Sequence, residues 1–66
     1  MISDETRQKW DDAVGYLLEY GDLHMTEWEN EFLDSISIWR AVGKDLTFKQ
    51  SSMLMKIRHR IEEKVG

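Results

Sequence analysis

The side chains that could do chemistry in this chain are few, and their spacing is informative. His24 and His59 stand thirty-five residues apart, so they do not form the H-x-x-x-H pair that places two imidazoles on one helical face for zinc. With Glu27 they are the best metal candidates available, and they are better read as a loop histidine and a polar-face histidine. Ser35, Ser37, Ser51 and Ser52 offer hydroxyls, but none lies in a strained turn beside an oriented base. Asp11 with Asp12, and Glu27 with Glu31, are carboxylate pairs. General acid–base work would require one member of such a pair to be desolvated in a cleft. Gly15, Gly21, Gly43 and Gly66 are scattered, so no glycine-rich loop cradles a phosphate. The chain has no cysteine, which removes disulfides, thiolate metal sites and thiol nucleophiles. The expectation is a non-enzyme that needs no metal and no cofactor.

Two charged constellations point to binding instead. Lys49, Lys56 and Arg60 recur at i, i+7 and i+11, with Lys64 close to the same face. Such a row can neutralise three or four phosphates, giving weak and salt-sensitive contact with nucleic acid. Two departures argue against a helix-turn-helix: Trp39 fills the position before the turn that should be small, and Lys49 fills one that should be apolar. Opposed to this row are Glu27, Glu31 and Asp34, supplemented by Asp11, Asp12, Glu19 and Asp22. These acids can present a negative surface to a basic protein and steer its approach. Ile38 lies off the main apolar stripe of its segment. With Phe48, Met55 and the two tyrosines it is a candidate for an exposed apolar patch, of the kind that marks protein interfaces and homodimers.

The elements that must carry these residues are helices. From Asp4 to Tyr20, Trp10, Ala13, Val14, Leu17 and Leu18 recur at helical spacing behind a Ser3 or Asp4 cap. Gly21 stands where a left-handed terminating residue is expected, and Gly15 suggests a close helix crossing. Thr26-Glu27-Trp28-Glu29 has the T-x-x-E form of a capping box. It opens a second helix, Glu27 to Val42, with Trp28, Phe32, Leu33, Ile36 and Trp39 as its apolar stripe and Gly43 as its stop. Thr47-Phe48-Lys49-Gln50 opens a third helix in the same way. That helix runs from residue 48 to about Lys64, and Leu46 is placed to seat its turn against the core. Leu54, Ile57, Ile61 and Val65 lie on one line of it, flanked by Met53, Met55 and Phe48. This arc is wider than a surface helix requires. Either the third helix sits in the groove between the other two, or part of its apolar surface meets a partner. Loops of four or five residues make the helices antiparallel neighbours. The expected fold is all-α, a three-helix bundle with helices at about 4–20, 27–42 and 48–64, forming one domain over residues 1–66.

The chain has 66 residues with a net charge of −4, and that figure hides a polarity. Residues 1–43 carry three cations against ten acids, or −7, whereas residues 44–66 carry six against three, or +3. Oppositely charged helices packed side by side would screen one another. No apolar run approaches the roughly 18 residues of a membrane helix. The acidic start, Met1-Ile2-Ser3-Asp4-Glu5, differs from a basic or apolar leader, so a cytoplasmic location away from membranes is expected.

Glu29, Phe32, Leu33, Ser35 and Ile36 fit E-x-x-F-L-x-S-I, and Leu46, Thr47, Lys49, Gln50, Leu54 and Ile57 fit L-T-x-K-Q-x-x-x-L-x-x-I. Over about half the chain this pattern resembles a helical-hairpin module of small phage-encoded and bacterial accessory proteins, some near replication functions. The resemblance implies an accessory role rather than a defined activity. Together these readings favour a small acidic interaction protein docking on a larger host or phage protein. The alternative is a weak nucleic-acid binder using Lys49, Lys56, Arg60 and Lys64.

Overall fold

The structure is a computed structural model that describes residues 2–21 and 23–65. Asp22, one of the acids considered above, lies outside the described residues. Three helices follow in order: α1 (Asp4–Tyr20), α2 (Glu27–Ala41) and α3 (Phe48–Val65). They form the expected three-helix all-α bundle, with no strand among the described residues.

Each start is held by its own sequence. Ser3 caps α1 by accepting the Thr6 backbone N–H at 3.2 Å. Thr26 accepts from the Glu29 N–H at 3.2 Å while Glu29 accepts from the Thr26 N–H at 2.9 Å, completing the capping box of α2. Thr47 and Gln50 exchange the same two bonds at α3, at 3.2 and 2.9 Å. Each box satisfies two of the backbone donors that a helix start leaves free.

The glycines divide by role. Gly43 has φ of +82°, the left-handed conformation that stops α2. Gly21 does not adopt that conformation. Its φ is −91°, and it closes α1 by donating to the Leu17 carbonyl at 2.9 Å. A Cβ there would come within 2.9 Å of the same carbonyl oxygen, so close approach rather than handedness requires glycine. Gly15 marks no crossing, because it is exposed and a Cβ would meet nothing within 4 Å. Gly15→Ala should therefore stabilise the fold by about 0.5–1 kcal/mol through helix propensity alone. A thermal melt should show this as a midpoint raised by a few degrees; a lowered midpoint would mean that the site is not open.

The core contains Trp10, Ala13, Val14 and Leu17 of α1, Leu33 and Ile36 of α2, and Leu54, Ile57 and Ile61 of α3. Leu46 joins them from the second loop, so the residue before the α3 cap does seat the turn. α1 packs most closely against α3, and α2 against α3 least. The apolar stripe of α2 is consequently only partly used. Leu33 and Ile36 are buried, Phe32 and Trp39 are half-buried, and Trp28 remains 56% exposed. Leu18, expected on the core face of α1, is also exposed, as is Val42 beyond the end of α2. Among the described residues no polar or charged side chain is buried in the core.

Candidate acidic groove between α1 and α2

The charged groups sort into those that hold the bundle together and those left over. All four arginines belong to the first class. Arg7 donates to Asp45 at 2.8 and 3.1 Å, tying α1 to the second loop. Arg40 donates to Asp11 at 2.8 Å and to the Lys44 carbonyl at 2.8 Å, and its guanidinium lies 5.6 Å from the Trp10 ring centroid. Arg58 pairs with Glu62 at 3.0 Å and covers Tyr16, whose ring lies 5.0 Å from that of Tyr20. Arg60 of α3 pairs with Glu29 of α2.

These contacts shift the carboxyls involved. Burial pushes the Glu29 carboxyl up, but the Thr26 N–H and the Arg60 guanidinium outweigh it, and the net shift is downward. Asp45 is also held below its ordinary value, chiefly by its hydrogen bond from Arg7.

Glu27, Glu31 and Asp34 make no ion pair with any described residue. Their i, i+4, i+7 spacing sets them along the outward face of α2, and all three line one groove. The groove has a volume of about 610 Å³, and its other lining residues are Leu18 of α1 with Asn30 and Leu33 of α2. The amide nitrogen of Asn30 donates to the Thr26 carbonyl at 3.2 Å, which fixes that side chain at the groove edge. Leu18, 57% exposed, and Leu33, buried, supply an apolar surface beside three unpaired carboxylates. Such a site suits a cationic side chain with a long methylene stem: the head meets the acids while the stem covers the leucines.

The other candidates are distributed around the molecule. Ile38 is 61% exposed on the outward face of α2, one turn beyond Asp34, and Phe48 is 87% exposed at the start of α3. Met55 does not share their exposure, because it is half-buried against the core. Tyr16 lies under Arg58, on the α1–α3 side. The apolar candidates thus differ in exposure: Ile38, Phe48 and Tyr20 are exposed, whereas Met55 and Tyr16 are half-buried. Of the basic row, Lys49, Lys56 and Lys64 are exposed, whereas Arg60 is committed to Glu29. His24 is exposed, and His59 lies 3.1 Å from Glu63. No group of three potential metal ligands forms among the described residues, and no described helix is long and apolar enough to cross a membrane.

Sequence reasoning identified the three acids but not the two residues beside them. Leu18 reads as core because it follows Leu17. Its place at roughly 90° from the centre of the α1 apolar arc is the one signal that it sits on a rim. Asn30 carries no such signal. No family model, characterised protein or solved structure matches the chain.

Proposed function

We propose that this chain is a non-enzymatic interaction protein that docks onto a basic segment of a larger protein through the groove between α1 and α2. The observation that carries this reading is the division of charge: every arginine is used within the fold, while the three acids that meet beside Leu18 and Leu33 have no described partner. Carboxylates concentrated on one face attract a cationic partner and set its register, and the leucines add a contact that salt does not screen. The nucleic-acid reading is less well supported, because Arg60, one of its four proposed contacts, already neutralises Glu29.

The test uses a fluorescently labelled synthetic helix with lysines at i, i+4 and i+7 and leucines beside them. Wild-type protein should bind it with an affinity that falls as salt rises. Glu31→Lys with Asp34→Lys should weaken binding at least tenfold, about 1.4 kcal/mol. Asp12→Lys with Glu19→Lys, the same charge change elsewhere on α1, should weaken it far less. Equal losses in the two variants would mean that net charge rather than the groove attracts the peptide, and would overturn the proposal.

A further inference from the structure

The adjoining side of the molecule, where α2 meets α3, carries a second inference, and it shares Glu31 with the groove. This is the thinnest seam of the bundle, and the aromatic residues along it are incompletely covered. Trp28 is exposed and stacks on half-buried Phe32 with ring centroids 5.5 Å apart. Trp39 is half-buried, and exposed Val42 continues the ridge. At about 100° per residue, Trp28, Trp39, Val42 and Glu31 fall within roughly 80° of one another on the α2 surface. On α3, Lys49 and Lys56 fall within about 40° of Arg60, which reaches across to α2. One surface thus carries an aromatic ridge on its first helix and a row of unpaired lysines on its second.

We infer that this surface pairs with a second copy of the chain about a twofold axis parallel to the helices. Such an axis lays α2 of each copy over α3 of the other with the ends of the two bundles aligned. The Glu29–Arg60 ion pair fixes which residues are level in the antiparallel hairpin. Counting away from that pair at 1.5 Å per residue, Glu31 is level with Arg58, so it lies within about 3 Å along the axis of Lys56 in the other copy. Trp39 is level with Gln50, one residue from Lys49. Lys56 therefore meets the partner's Glu31, and Lys49 meets the partner's Trp39, one face of whose ring is already covered by Lys44 of its own chain at 5.3 Å; on the other face an ammonium can lie over the indole while its stem covers the ring. The contact is made twice, because the axis repeats it. The match is to the chain's own surface, in both charge and register, and this selects a second copy as the occupant. Phe48, although more exposed than Trp28 or Val42, lies about 80° from Lys56, about 100° from Lys49 and about 120° from Arg60 on α3, on the side away from α2, and falls off the face.

Sedimentation velocity across a wide protein concentration range tests the pairing. The expected result is a reversible increase in mass from the 7.9 kDa monomer to twice that value. Lys56→Glu should weaken the association at least tenfold, Trp28→Ser should do the same, and Phe48→Asp should leave it unchanged. Lys56 is exposed, so its variant keeps the fold and isolates the interface. Mixing Lys56→Glu protein with Glu31→Lys protein should restore a dimer that neither forms alone, because the mixed pair has both contacts attractive. A chain that stays monomeric at the highest concentration would overturn the inference, as would a dimer indifferent to Lys56→Glu. Either result leaves the peptide-binding groove to be judged separately by the synthetic helix.

Discussion

Trp10→Ala should leave the chain largely unfolded at physiological temperature. Trp10 is 4% exposed, packs among Val14, Leu17 and the core residues of the other helices, and lies beneath the Arg40 guanidinium. Removing a buried aromatic costs about 3–5 kcal/mol, the lost transfer energy plus the cavity left behind. A single core in a domain this small rarely supplies more than about 3–5 kcal/mol in total. The substitution also removes the ring under Arg40, whose side chain is only 11% exposed and depends on its contacts to stay ordered. Far-UV circular dichroism should show most of the helical signal lost for Trp10→Ala and largely retained for Trp10→Phe. A midpoint within a few degrees of wild type would mean that Trp10 is not a keystone of the core.

Glu29→Ala should cost about 1–2 kcal/mol. Glu29 does two jobs at once: it accepts the Thr26 N–H that completes the α2 capping box, and it neutralises Arg60 from α3. Its contribution depends on pH with a defined sign. Bonds to the ionised form hold its folded pKa below the ordinary 4.5. The stability it lends is therefore complete above that value and is lost as pH falls through the lower folded pKa. Asp45, held below its ordinary 3.8 by Arg7, acts in the same direction over the neighbouring range. Urea unfolding as a function of pH should show wild-type stability level near neutrality and falling steeply on acidification below about 4. Glu29→Gln should be less stable at neutral pH and have a shallower acid limb. An acid limb as steep as that of wild type would mean that Glu29 is not a principal titrating carboxylate of the fold.

Much of the fold was legible because local signals are strong in this chain. Two capping boxes start α2 and α3 where the side chains say they should, and Gly43 stops α2 by the expected geometry. The helix ends differ from expectation by a single residue, Val42 lying just outside α2 and Val65 just inside α3. What periodicity could not resolve was which part of each apolar arc would be used. A stripe read from sequence is wider than the face two neighbours can cover, so Trp28 and Leu18 read as core and stand exposed. Gly15 and Gly21 show the same gap between residue type and packing. A glycine signals freedom, but only its surroundings show whether a turn, a neighbour or nothing requires it.

The candidate site was legible in its charges but not in its shape. Glu27, Glu31 and Asp34 share a helical face by spacing alone. That the acids are free while Glu29, in the same helix, is not depends on Arg60, thirty-one residues away. No local rule gives such a pairing. It also alters the basic row, which by spacing has four members near one face and by contact has three free lysines.

Docking through the groove between α1 and α2 can be followed residue by residue in the backbone amide resonances during titration with the synthetic lysine–leucine helix. Shifts should concentrate at Leu18, Glu27, Asn30, Glu31, Leu33 and Asp34, saturate together and diminish in Glu31→Lys with Asp34→Lys. Shifts spread evenly over all exposed acids, or centred on α3, would contradict it.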